Sequence, residues 1–304
     1  MNKNFTSWLI LFFLVLVWGT SFLLIKKAVF YFEAVEVGLL RVSFAFLFVL
    51  PLFFSRIKRI NLKQAFLCFL SGLIGTAIPA VLFAMAETGI DSATAGVLNS
   101  LTTLFTLLVG VVFFKTTVKW INVAGVLIGL AGAVGLITVS GGNSFNFNLG
   151  FSLYVISATL MYAFNANFIK SVLKEIPAID ITVFAIFFTG FMATVWVIFF
   201  SDIPDKMITD SENLYGVLYV AILGIIGTGL AMLLFNHLIK KTSAVFAASV
   251  TYLMPVVAIL WGMLDGEVLG IAQLLWIMLI LAGVLMVNTR TSKIFQKFIQ
   301  WFSK

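Results

Sequence analysis

The chain carries one pattern twice. Gly72-Leu73-Ile74-Gly75-Thr76 returns as Gly224-Ile225-Ile226-Gly227-Thr228, an offset of 152 residues at which Phe83 also meets Phe235 and Gly110 meets Gly262. One residue of slippage later, Leu130-Ala131-Gly132 meets Leu281-Ala282-Gly283. Upstream the offset is 144, pairing Trp18 with Tyr162, Ser21 with Asn165 and Lys26 with Lys170. A duplication of roughly 140 residues constrains fold, topology and function class together, so every local motif is read against it. The register change from 144 to 152 is assigned to an insertion at Ser201–Asn213, rich in Asp202, Asp205, Asp210 and Glu212.

The solvent of this chain is lipid. It is 62% hydrophobic and only 10% charged, too few polar groups to cover its apolar surface in water. A bilayer core about 30 Å thick takes roughly 20 residues of helix. Cutting at polar clusters leaves ten such runs: 7–28, 34–54, 63–84, 91–113, 119–139, 148–170, 180–200, 215–238, 243–264 and 269–289. Helices are expected because lipid offers no partner for unpaired backbone groups, and the runs lack the alternation of a barrel strand. The expected fold is therefore an all-α integral membrane protein of ten transmembrane helices. It divides into a first repeat at 7–139, a second at 148–289 and a basic amphipathic tail at 290–304.

Lysine and arginine orient the spans. With the N-terminus inside, cytoplasmic segments hold 15 of the 19 and the opposite side only Lys26, Lys27 and Lys206, with Arg41 inside a span. Both termini are thus expected in the cytoplasm, in the cytoplasmic (inner) cell membrane. Each repeat has an odd number of spans, so the second copy enters from the opposite side and the repeats are inverted. In the tail, Ile294, Phe295, Phe298, Ile299 and Phe302 share a helical face among Lys293, Lys297 and Lys304, the pattern of a helix lying on an anionic leaflet.

Two inverted halves can exchange conformations and open a central site to one side and then the other. The site is expected near the midplane, between equivalent spans. Candidate lining residues are Trp18 and Ser21 in span 1, Thr76 in span 3 and Asn99, Ser100 and Thr103 in span 4. Their counterparts are Tyr162 and Asn165 in span 6, Thr228 in span 8 and Thr251 and Tyr252 in span 9. Asn99, Thr103 and Thr106 fall on one helical stripe. Pro79 and Pro255 each remove a backbone donor, as a hinge or cavity wall tolerates. Arg41 is expected to be structural, paired with Glu33, Glu36 or Glu87. His237, near the end of span 8, reads as a packing or interfacial residue or as a gate.

Catalysis is not expected, since one His and scattered carboxylates do not converge at a membrane face. Neither a metal nor a cofactor is expected: there is no His/Cys spacing, and Gly141-Gly142-Asn143-Ser144 has no following lysine. The net charge of +7 lies in short clusters between apolar runs, so no nucleic-acid partner is expected. No carboxylate sits at mid-span, which favours a neutral, zwitterionic or apolar cargo over an organic cation. Gly125, Gly129, Gly132 and Gly135 in span 5, with Gly283 in span 10, form small-residue ridges expected to serve as scaffold or as a homodimer face.

Over residues 7–289 the chain resembles the EamA family of the drug/metabolite transporter superfamily. The resemblance rests on Trp18-Gly19-Thr20-Ser21-Phe22 and Leu40-Arg41-Val42 in the first half. In the second half it rests on Pro255, Gly262, Gly266-Glu267 and Leu281-Ala282-Gly283-Val284. It implies a basket in which spans 1–4 and 6–9 surround a cavity and spans 5 and 10 support it. It also implies export of small metabolites, often amino acids. Lys115 in place of a glutamate and Met161-Tyr162-Ala163 in place of Trp-Gly depart from the pattern, and the cargo is not carried over. An uptake or exchange carrier and a non-transporting membrane protein remain the alternatives.

Overall fold

Helices fall on each of the ten apolar runs. The structure, a computed structural model, describes residues 3–90, 92–140, 148–209, 211–254, 256–257 and 270–288, and no strand occurs among them. The helices of the first half are α1 Lys3–Ala28, α2 Ala34–Phe54, α3 Leu62–Gly72, α4 Ile78–Glu87, α5 Ser92–Phe114 and α6 Trp120–Ser140. Those of the second half are α7 Leu149–Ser171, α8 Ala178–Phe200, α9 Ile203–Thr209, α10 Asn213–Gly224, α11 Ala231–Lys241, α12 Ala244–Ala248 and α13 Ile271–Asn288. A π-helical segment, Leu73–Ala77, joins α3 to α4 as one span, and another, Ile225–Leu230, joins α10 to α11. Pro255, Gly262, Gly266-Glu267 and the tail at 290–304 lie outside the described residues.

Local chemistry sets the helix starts. Asn61 and Gln64 form a reciprocal capping box at α3, and Ser243 accepts from the Phe246 amide at α12. Among the described residues six helical spans are long and apolar enough to cross a membrane. Large apolar side chains such as Phe113, Leu153, Phe191 and Phe199 face outward, while Ser, Thr and Asn are turned in. This is the distribution that lipid selects, and the molecule is an all-helical multi-pass membrane protein.

The pairing of α2 with α8 shows how the copies are related. At one end Glu36, in the first turn of α2, pairs with Lys206 beyond the end of α8 at 3.0 Å. At the other end Asp180, in the first turn of α8, pairs with Arg56 beyond the end of α2. Each helix start meets the other helix's end, so the two run antiparallel. Glu36 and Asp180 are equivalent at the 144 register, as are Phe46 and Gly190, and a Cβ on Gly190 would strike the Phe46 side chain. The pseudo-two-fold axis passes through this contact.

The glycine ridges correct an expectation. Gly125, Gly132 and Gly135 of α6 face α13 of the same chain, against the Gly283 carbonyl, Met286, Ile280 and Trp276, while Gly129 faces Tyr252. Asn122 Nδ2 reinforces the pair by donating to the Val287 carbonyl at 2.9 Å. Small residues let these backbones approach within the chain, so this ridge serves a contact inside the chain. Spans 5 and 10 are a scaffold.

Candidate functional site

The two π-helical segments are the repeated Gly-x-x-Gly-Thr pattern itself, and each lies against the first span of the opposite half. Pro79 follows the first segment directly, but its 152-register equivalent is Ala231, so proline is not what opens these helices. In the second segment Thr228 Oγ1 donates to the Leu223 carbonyl five residues back at 3.0 Å, an alternative to the ordinary four-residue ladder. Gly75 and Gly227, one in each segment, provide the close approach. A Cβ on Gly75 would collide with the Asn165 amide, while one on Gly227 would meet Ser21 Oγ at 3.3 Å. Asn165 and Ser21 are themselves equivalents.

Between these segments lies a partly open cavity, at most about 820 Å³ including the space outside its mouth. Its wall contains Trp18, Ser21, Thr76, Asn99, Tyr162, Asn165, Thr228 and Thr251, eight of the eleven candidates taken from polar positions at mid-span. At the cavity wall, two aromatic contacts cross between the halves. Trp18 of α1 meets Phe235 of α11 edge-on, ring centroids 5.0 Å apart, and Tyr162 of α7 lies near-parallel to Phe83 of α4 at 5.9 Å. The two contacts join equivalent positions with different ring geometry, because Trp18 corresponds to Tyr162 and Phe235 to Phe83. Trp18 Nε1 also donates to the Gly227 carbonyl at 2.8 Å.

Three expected lining residues are placed elsewhere. Ser100 Oγ donates to the Thr251 carbonyl at 3.3 Å, and Thr103 and Thr251 share a hydroxyl contact at 3.3 Å, so both tie α5 to span 9. Tyr252 is fully buried, its ring over Gly129 and its hydroxyl donating to the Val126 carbonyl at 2.9 Å. It anchors span 9 to the α6 scaffold. The helical stripe was off by one residue: the wall uses Asn99 and Thr102, whose Oγ1 donates to Asn99 Oδ1 at 3.3 Å. Asn99 Nδ2 in turn donates to Met254 Sδ at 3.1 Å.

Arg41 is not paired as expected. Its Nε donates to Thr228 Oγ1 at 2.7 Å and its Nη2 to the Gly227 carbonyl at 3.4 Å, and it lines the cavity. Glu36 is taken by Lys206, Glu33 by its capping box with Glu36, and Glu87 Oε2 accepts from Ser92 Oγ. His237 is exposed on α11 beside buried Asn236. Lys170 and Lys240, read from sequence only as topology signals, form a reciprocal clasp. Lys170 Nζ donates to the carbonyls of Ile239, Lys240 and Thr242 at 2.6–3.0 Å, and Lys240 Nζ to that of Leu173 at 2.7 Å. Each ammonium thus satisfies carbonyls at the other helix's C-terminus.

The two glycines give a differential test. Gly75→Ala is expected to lower stability by about 1–2 kcal/mol, because buried Asn165 must swing toward the cavity and give up the bond from Ser71 Oγ at 2.7 Å. Gly227→Ala, which meets only Ser21 Oγ at 3.3 Å and Leu223 at 3.9 Å, is expected to cost under about 1 kcal/mol. Thermal denaturation in detergent compares them, and equal losses would refute this reading of the wall.

The model of the EamA-like transporter family matches the chain twice, over residues 6–138 and 150–289. An uncharacterized transporter of Archaeoglobus fulgidus is 26% identical over 257 residues, covering 84% of this chain and 88% of the relative. YedA, an uncharacterized inner membrane transporter of Escherichia coli K12, is 26% identical over 283 residues, covering 91% and 89%. A crystal structure of a protein at 20% identity superposes with a TM-score of 0.70 over 93% of this chain and 96% of that one, a likeness of fold.

Proposed function

Because the chain belongs to the EamA-like transporter family, we propose that it is a secondary transporter, not an enzyme, moving a small metabolite across the cytoplasmic membrane by alternating access. The cargo is an amino acid or a related compound and the direction is export, with both termini in the cytoplasm. One observation carries this reading: residues at equivalent register positions in the two halves face a single cavity and touch across it in matched pairs. A scaffold has no need of polar side chains such as Asn99, Asn165 and Thr251 in such a wall. In a transporter they supply orientation, while two halves of equivalent architecture supply two states of similar energy.

Purified protein in liposomes, offered a panel of labelled amino acids, is expected to show saturable flux. Asn99→Leu and Asn165→Leu are each expected to lower it about tenfold or more with expression intact, since each removes hydrogen bonds from the wall. Normal transport by both variants would remove the cavity from the route.

A further inference from the structure

We infer that Arg41 is an anion site in the cavity wall, and that the cargo is a carboxylate held there by its negative end; this rests on the transport reading above. The first ground is a buried cation with no carboxylate at ion-pair distance; buried Glu87, with Oε1 unpartnered, acts on it only at longer range. Arg41 is 9% exposed, and among the described residues no carboxylate lies within ion-pair distance of it. Its partners are a neutral hydroxyl and a carbonyl at the long limit of a hydrogen bond, and neither uses Nη1. A guanidinium taken out of water and left unpaired is costly, and a carboxylate entering beside it offsets that cost.

The second ground is asymmetry. At the 144 register the equivalent of Arg41 is Ala185. The correspondence is structural as well: the Cβ position of Gly224 abuts the Arg41 carbonyl, and that of its equivalent Gly72 abuts the Ala185 carbonyl. The helix contact that positions Arg41 is therefore made in both halves, with arginine in one and alanine in the other. A charge the symmetric fold does not require is a charge for something it holds.

The third ground is the rest of the wall. Among the described residues it contains no Asp, Glu or His, so no negative charge in it answers a cationic group on the cargo. Phe22, Phe83, Phe235, Met232 and Met254 supply an apolar surface for the cargo's body. The chemistry that fits is a carboxylate with an apolar body, for which an amino group is tolerated but not required.

The test compares the twenty amino acids with their 2-oxo acids, their decarboxylated amines and their primary amides. Binding is read by thermal shift and flux by liposome counterflow, on wild type, Arg41→Lys and Arg41→Met. Every stabilising compound is expected to carry a carboxylate, with the acid favoured over its amide by about tenfold to a hundredfold. Arg41→Lys is expected to keep that preference at lower affinity. Arg41→Met is expected to lose the preference, bringing acid and amide together. Should Arg41→Met weaken acid and amide equally while preserving their ratio, or should amines bind wild type as well as acids do, the anion site is overturned and transport stands. Absence of binding and flux for every compound overturns the transport reading and this inference with it. Arg41→Lys also guards against misfolding, since its charge can still reach Thr228.

Discussion

Gly283→Ala is expected to destabilise the protein by about 3 kcal/mol, the upper range for overpacking a closely fitted contact. The added Cβ would lie 2.5 Å from the Gly129 nitrogen and 2.7 Å from both the Gly129 Cα and the Gly125 carbonyl oxygen. All three are backbone atoms of α6, and no rotamer relieves such a clash. The two helices would have to separate, breaking the Asn122 bond to Val287 and the packing of Trp276 on Gly135. In lipid, separated helices are not driven back together by water, so lost van der Waals contact is lost stability. Gly96→Ala is the matched control. It meets no described atom within 4 Å, and alanine's helix propensity should leave stability unchanged or raise it by up to about 1 kcal/mol. Melting of detergent-solubilised protein reads both, and similar melting temperatures would contradict the α6–α13 contact.

Trp18→Ala is expected to reduce transport by about thirtyfold while the protein remains folded. The substitution removes an edge-on aromatic contact, worth about 1 kcal/mol, and a hydrogen bond to the Gly227 carbonyl of similar size. Together about 2 kcal/mol is taken from one of two nearly balanced states, which shifts their ratio by about thirtyfold. Trp18→Phe keeps the ring and loses the donor, so it should fall between. Tyr162→Ala breaks the matched contact with Phe83, which this same conformation also makes, and is expected to bias the cycle in the same sense. Cysteine labelling of the cavity from each face of the membrane, in a Cys68→Ser background, reads that bias. Opposite accessibility changes in the two variants would show that the two crossed pairs do not hold the same state.

Much of this fold was legible before any coordinates. The offsets of 144 and 152 paired residues that the structure places in equivalent contacts, because a duplicated fold preserves its helix neighbours even where side chains differ. What the offsets could not say is that equivalent residues meet the other half. Trp18 touches Phe235, not Phe83. Arg41 was misread for a related reason: spacing along the chain favoured Glu36 and Glu33, five and eight residues upstream. Folding delivers Lys206 to Glu36 and Thr228 to Arg41, from residues far along the chain. Asp180 was overlooked because a carboxylate at a helix start reads as a solvated loop charge, although it is 1% exposed against Arg56.

The sequence by itself determined that the chain lives in lipid, that it is helical and that it is built from two copies facing opposite ways. Uninterrupted apolar runs, a fixed offset and lysine placement are one-dimensional quantities, and they are sufficient for those conclusions. The tertiary structure alone decided which face of each helix turns inward. In a membrane the lipid-facing and core-facing sides are both apolar, and α1, α7 and α8 show almost no difference between their faces. Inward orientation is set instead by where small residues let backbones touch. Gly75 against Asn165, Gly190 against Phe46 and Gly283 against Gly129 fix the helix rotations. Those rotations put Thr102 on the cavity wall, take Ser100, Thr103 and Tyr252 off it, and leave Arg41 facing inward without a carboxylate beside it.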